Sequence, residues 1–447
     1  MLTNTQRLGG VSRVVIRQNI AVIGSGISGL SAAWLLAHNH RVTLYERSPR
    51  LGGHTNTVQV GQDRVDTGFI VYNEHTYPNL TALFQHLGVA TRASEMSFSV
   101  SLDQGRLEYA GTDLGGLFAQ KINLLRPRFW SMLLDLVRFY REAPAADAKN
   151  LTLGAFLERH RFGRAFRDDH LLPMAAAIWS APAAALLDHP AESFIRFCEN
   201  HGLLKLTNRP VWRTVVGGSA SYIPPLIAPY RENIRMNCGV RQIWREPDHV
   251  VVIDRWGTAD NYDHVVIASH ADQALAMLGD AGVDEASVLR AFRYSSNKVS
   301  LHSDPSLMPR RRSTWTSWNY LGQREQDGAE RELSVTYWMN RLQGLPEVLP
   351  YFVTLNAPHA PRQTIRTETA EHPIFDLRAL AAQKSLWSLQ GARRTWFCGA
   401  YCGDGFHEDG LQAGLLVAEK LGGLKRPWHV RDETARLPQE IALMGAA

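Results

Sequence analysis

The chain is short of cysteine, of long apolar runs and of any lopsided charge, and each shortage removes a class of protein. Four cysteines, Cys198, Cys238, Cys398 and Cys402, stand among 447 residues. None forms a C-x-x-C pair and no histidine pair at zinc spacing accompanies them. Neither a disulfide scaffold nor a metal site is expected, and the thiols read as reduced, as in the cytoplasm. Lys plus Arg is 48 and Asp plus Glu is 43, a net charge of +5. That excess is spread out, whereas nucleic-acid binding calls for a concentrated basic stripe, so no nucleic-acid partner is expected. The stretch before Ile20 has some positive charge but no apolar core, so no signal peptide is expected. Residues 20–37 are apolar but broken by Gly24, Gly26 and Gly29, which suits strand, turn and helix better than a membrane span. With 45% apolar and 20% charged residues, the composition is that of a globular protein of two or three domains.

Ile20-Ala21-Val22-Ile23 is a short β-type run. Gly24-Ser25-Gly26-Ile27-Ser28-Gly29 follows at once, then a helical pattern over residues 30–37, then a second strand pattern, Arg41–Tyr45, ending at Glu46. A glycine loop in this setting is the dinucleotide fingerprint. Gly24 permits the tight turn, Gly26 lets a diphosphate approach the backbone, and Gly29 lets the helix pack on the sheet. The helix start, with Ser28, offers free N–H groups and a positive dipole end to phosphate. Glu46 stands where an acid grips ribose hydroxyls. After Glu46-Arg47 a second glycine pair, Gly52-Gly53, leads into His54-Thr55, and Asp66-Thr67-Gly68-Phe69 adds another turn. This further bare backbone suits FAD, which runs on past the diphosphate, better than NAD.

These segments resemble the flavin amine oxidase superfamily, which includes monoamine oxidases, protoporphyrinogen oxidase and phytoene desaturases. The resemblance implies that residues 46–57 wrap FAD and that residues 211–219 return the chain to the FAD domain. It also implies that residues 237–243 form the adenine-side strand, with Val240 at the contact. Residues 397–414, with Gly399, Gly405, Phe406 and Glu408, then close the domain under the flavin. Residues 69–73, 301–304, 315–320, 339–343 and 405–410 look like a bacterial subgroup similar to the flavin domain fused to plant cyclopropane fatty acid synthases. The resemblance covers about residues 19–424. It departs at Gly399-Ala400, where the superfamily usually has Gly-Asp; Asp404 lies nearby.

The implied fold is α/β: a Rossmann-type FAD-binding domain with an inserted α+β substrate domain. The FAD domain takes residues 19–95, 205–285 and 390–425, the substrate domain 96–204 and 286–389, and a tail 426–447, which after Trp428 is expected to dock loosely. Residues 114–205 read as helical, with Thr152 capping a helix; residues 295–355 hold β-type runs.

Three residues are candidates for catalysis. Lys298 aligns with the lysine that holds a water near the flavin in amine oxidases; desolvated, it could shuttle protons, and otherwise it is a surface lysine at a strand start. His407, at the expected start of the closing helix, is an acid/base candidate or an orienting hydrogen bond. Tyr72, beside Asn73, could point into the pocket. Trp179, Trp315 and Tyr337 are candidate walls for a large apolar substrate, or plain core. His54 is expected to bind FAD. Cys402 does not match the family's flavin-tethering cysteine.

Residues 117–130 mix Leu, Phe and Trp with Lys and Arg. That suits a peripheral helix on anionic lipid, at the inner membrane face of a cytoplasmic protein, or an ordinary amphipathic helix. Three functions stay open: an FAD-dependent oxidoreductase acting on a lipid or fatty acyl substrate; an amine or porphyrinogen oxidase; and a flavin-binding accessory subunit for a cyclopropane-synthase-like methyltransferase partner.

Overall fold

A computed structural model of the chain describes residues 16–179, 183–205, 209–322 and 334–431, with 433, 434, 436 and 437 of the tail. The stretch expected to lack a signal peptide lies almost wholly outside the described residues.

Five short strands form one parallel sheet in the spatial order Ile234–Arg235, Arg41–Tyr45, Asn19–Ile23, His264–Ile267, Thr395–Phe397. They come from three separated stretches of chain. Ile20, Ala21 and Val22 are fully buried, as expected of a strand covered on both faces. The helix Ile27–Leu36 is buried on every side, because the closing helix His407–Gly422 lies directly across it. A Cβ at Gly414 would stand 2.2 Å from the Ser28 carbonyl oxygen, and one at Gly410 would stand 2.8 Å from Ser28 Oγ. Bare backbone on the closing helix is what permits the crossing.

The second body is a seven-stranded mixed sheet, ordered Thr364–Ile374, Arg293–His302, Phe352–Leu355, Ser334–Trp338, Trp318–Gly322, Phe98–Leu102, Leu107–Ala110. Helices between residues 127 and 200 pack on one face of it: Tyr337 Oη donates to the Ala177 carbonyl at 3.2 Å. Thr152 caps the helix Leu153–Arg159, its Oγ1 accepting from the Ala155 N–H at 3.2 Å.

The described part of the tail does not dock loosely. Arg426 is buried and paired with Glu419 at 2.7 Å, Trp428 stacks on Trp34, and Arg436 pairs with buried Asp409 at 3.4 Å. Local pattern gave little sign of this, since Trp34 and Asp409 lie in other segments of the chain.

Burial lowers His170, His189 and His302 to about 4 and His201 to about 3. The unfolded chain takes up protons at these sites near the ordinary histidine value of about 6.5, whereas the folded one does not until the pH is far lower. The unfolded state therefore holds more protons across that interval, and stability is lost as pH falls from 6.5 toward 4. Each histidine contributes up to about 1.4 kcal/mol per pH unit. Asp66, raised to about 6 by burial, pulls the other way and offsets part of the slope. Calorimetry is expected to show Tm falling steadily across this window; a flat Tm would contradict the assignment.

Candidate cofactor cleft and active site

The carboxyl ends of the parallel strands meet at one edge, where ligands of open α/β sheets bind. Gly24 ends the first strand, Glu46 the second, residues 268–270 the fourth and Gly399 the fifth. Glu46 organises the turn: its Oε2 accepts from the Ser25 N–H at 3.0 Å and Ser25 Oγ at 2.5 Å, and its Oε1 accepts from the Ser48 N–H at 2.8 Å. The two glycine turns are tied together, since the Gly52 N–H donates to the Ser25 carbonyl at 3.0 Å.

The cradle fits a diphosphate. A Cβ added at Gly26 would meet nothing within 4 Å, and one at Gly53 would stand 3.1 Å from Gly26 Cα. Gly26 thus faces open space at a helix start, and Gly53 lets the second turn lie close against it. Gly29 has the opposite surroundings: its Cβ would lie 2.0 Å from the Gly24 carbonyl oxygen. Next to them, the Cys238 N–H donates to the Glu46 carbonyl at 2.8 Å, and the Arg47 side chain lies against Gly239. Half-buried Val240 begins the adjoining strand, so residues 237–240 border the adenosine side.

Ser28 lies in the first turn of the helix Ile27–Leu36. It is 5% exposed and lies against Gly410 and Gly414 of the closing helix, so its side chain serves helix packing, leaving its N–H at the helix start.

His54 opens into the cleft, with His372 at 5.4 Å and His270 at 6.3 Å between ring centroids. The Phe69 N–H donates to the His54 carbonyl at 2.8 Å, across Gly68. His270 stacks on Tyr294 and meets Glu371 at 3.3 Å. Asn297 Nδ2 bonds His372 Nδ1 at 3.0 Å. Desolvation by the surrounding walls lowers both His270 and His372, the latter to about 3. These are uncharged imidazoles beside the diphosphate cradle.

Farther along, Thr55 Oγ1, Tyr222 Oη and His407 Nε2 form a triangle: 2.5 Å between the hydroxyls, 3.0 and 3.1 Å from them to the imidazole. The His407 ring lies flat on Phe69, centroids 3.8 Å apart. Burial, with His54 nearby, lowers His407 to about 3. At neutral pH His407 is a neutral imidazole that orients two hydroxyls; it cannot serve as a cationic acid. The pH profile of turnover is therefore expected to lack a His407 limb between about pH 5 and 8, and His407→Gln should leave the profile's shape unchanged. A limb that vanishes in that variant would reverse the assignment.

Four expectations are corrected. Lys298 is exposed; strand alternation turns Asn297, 2% exposed, toward His372 and the cleft side. Lys298→Met is expected to leave the rate of anaerobic flavin reduction unchanged. Tyr72 is 2% exposed and packs edge-on against Tyr77 and Phe84 in the core of the first body. Glu408 is fully buried and its oxygens are taken up elsewhere. Oε1 accepts from the Asn79 N–H, Asn79 Nδ2 and Gln412 Nε2, and Oε2 from the Leu80 N–H, all at 2.9–3.0 Å. It caps the helix Pro78–His86 instead of touching the cofactor. Trp315 packs against Trp338 and Phe352, side chains that alternate with Tyr337 and Val353, so it sits across the sheet from Tyr337.

Trp179 and Phe406 do meet. Phe406 stacks on Phe197 at 4.8 Å, and Trp179 lies against Phe194 and Phe197. A narrow crevice lined by Trp179, His189, Ser193, Phe375 and Asp404 opens beside them, next to Gly405. Asp404 is turned toward Arg196 at 3.8 Å. Burial pushes the Cys402 thiol up to about 12, so it is protonated and no nucleophile.

The pattern of the family described as flavin containing amine oxidoreductase matches residues 27–397. The chain belongs to that family. It is an FAD-dependent oxidoreductase by family, and the glycine cradle with Glu46 has the geometry to take a dinucleotide. The protoporphyrinogen oxidase of Schizosaccharomyces pombe is 26% identical over 191 residues, 38% of each chain, so the match spans under two fifths of that relative's length. Among solved structures, a CLA-producing fatty acid isomerase from P. acnes superposes with a TM-score of 0.63 at 16% identity, over 91% of this chain and 98% of that one. Cyclohexylamine oxidase from Brevibacterium oxydans superposes with 0.63 at 16%, over 91% and 100%. These likenesses show a shared fold.

The sequence reading missed His270, His372, Asn297 and Tyr222. His270 was within reach, since Ser269-His270 follows a β-type run at the sheet's carboxyl edge. The other three come from distant segments with no local signal.

Proposed function

We propose that this oxidoreductase acts on a lipid or fatty acyl chain. Bound FAD supplies a hydride acceptor for a substrate C–H bond. The chain's residues bind the dinucleotide, keep water out and hold an apolar substrate. One observation carries the reading: around Phe406 and His407 the walls are aromatic or neutral, and among the described residues Asp404, Glu408 and Asp409 are each engaged. Glu408 holds the helix start, Asp409 is bound by Arg436 and the Phe406 N–H, and Asp404 faces Arg196. An ammonium group would find no unpaired anion there, whereas an apolar chain would find Trp179, Phe197 and Phe406. A relative of the same fold is named for fatty acid isomerisation, which agrees with this reading without carrying it.

The test is anaerobic mixing of the FAD-loaded protein with unsaturated and cyclopropane-bearing phospholipids while the flavin absorbance is followed. Bleaching by an acyl lipid and not by primary amines is expected. Bleaching by amines alone would move the assignment to an amine oxidase. No bleaching by either, with tight co-purification of a methyltransferase, would favour an accessory role.

A further inference from the structure

The helix Pro127–Glu142 is apolar on two sides. Its inner face, Phe129, Met132 and Phe139, is buried in the core. Its outer face carries Trp130, Leu134 and Val137 in a row one turn apart, all open to solvent, with Leu134 71% exposed. The preceding segment extends this surface. Leu125 (78% exposed), Leu124 and Ile122 come from the turn Lys121–Leu125, and Leu114 (75%) from the short helix before it. The pieces are joined: Trp130 Nε1 donates to the Leu124 carbonyl at 2.9 Å, and its ring lies 5.6 Å from Phe118. Water offers no reason for seven large apolar side chains to gather here, and a patch of this kind marks an interaction surface.

Its charge selects the partner. From residue 114 to 134 the chain has no Asp or Glu, while Lys121, Arg126 and Arg128 punctuate the apolar residues. Beside Leu125 lies a cavity of about 360 Å3 bordered by Arg106, Arg126 and Arg128. The one acid in its wall, Asp169, is held by Arg128 at 2.7 and 3.1 Å. Apolar side chains that can sink past headgroups, ringed by cations that can pair with them, are the requirements of a surface lying on anionic lipid. We propose that residues 114–137 dock the protein on an anionic phospholipid leaflet, with Leu125, Trp130 and Leu134 entering the acyl boundary and Arg106 and Lys121 pairing with phosphates. The docking does not depend on the substrate, so loss of vesicle binding and failure of lipid oxidation in detergent are separate results.

The experiment floats the full FAD-loaded chain with vesicles of phosphatidylcholine, alone or mixed with phosphatidylglycerol. Flotation with the mixed vesicles, weakened by salt, and little with phosphatidylcholine alone is expected. Leu125→Glu/Leu134→Glu should stay at the bottom while keeping the parent's flavin absorbance and Tm. Lys121→Ala/Arg106→Ala should weaken binding by about fivefold per cation removed. The proposal is overturned if the parent fails to float with anionic vesicles at low salt, or if the glutamate variant floats as well as the parent. It is overturned equally if light scattering finds a parent dimer that the glutamate variant splits, since a second copy would then cover the face.

Discussion

Gly26→Val is expected to give a folded, colourless protein. The backbone at this position is extended, with φ −65° and ψ 173°, which valine adopts readily. Its added carbons would enter space where no protein atom lies within 4 Å of the Cβ, so the fold meets no collision. The diphosphate does. Overpacking of that kind costs about 1–3 kcal/mol, or roughly a ten- to hundredfold loss of FAD affinity. Gly29→Ala is the counterpart: its Cβ would stand 2.0 Å from a backbone oxygen that cannot swing aside, so Tm should drop sharply with or without FAD. Thermal melts of both apoproteins, with flavin titrations, separate the roles. A Gly26→Val protein that stays yellow would show that the diphosphate lies elsewhere.

Glu408→Ala should be among the most destabilising single changes, and its effect should fall on stability before flavin binding. The substitution strips partners from two backbone N–H groups and two side-chain amides, all buried. Leaving a buried donor without its partner costs about 1–3 kcal/mol for each group. Denaturant unfolding would register the loss as a lower midpoint. If the variant instead unfolds like the parent but binds FAD poorly, the carboxylate touches the cofactor after all.

The nucleotide half of the site is legible in the sequence because its parts are consecutive: strand, glycine loop, helix and acid occupy residues 19–46, each leaving a local mark. The catalytic half is not. His407 was visible, but its neutrality comes from burial, with Phe69 stacked on it and His54 nearby, both brought from distant segments. Lys298 and Asn297 show the limit most clearly. A one-residue choice of strand face decides which of them meets His372, and the flanking residues Ser296 and Val299 do not announce that choice. Trp315 and Tyr337 were grouped because both are aromatic, and pleating put them on opposite sides of the sheet. Glu408 was misread because a buried acid beside a cofactor motif looks the same in sequence whether it holds a ligand or a helix start.

The crossing of the closing helix over the first helix bears on how the protein is made. The helix Ile27–Leu36 is made long before the surface that covers it, with Gly410 and Gly414 against Ser28. Until then one face of that helix and one edge of the parallel sheet stay open, a state prone to mispairing. Dinucleotide loading therefore belongs after the helix His407–Gly422 has come back to close the domain. Loss of the helix His407–Gly422 would uncover the face of Ile27–Leu36 that it packs on.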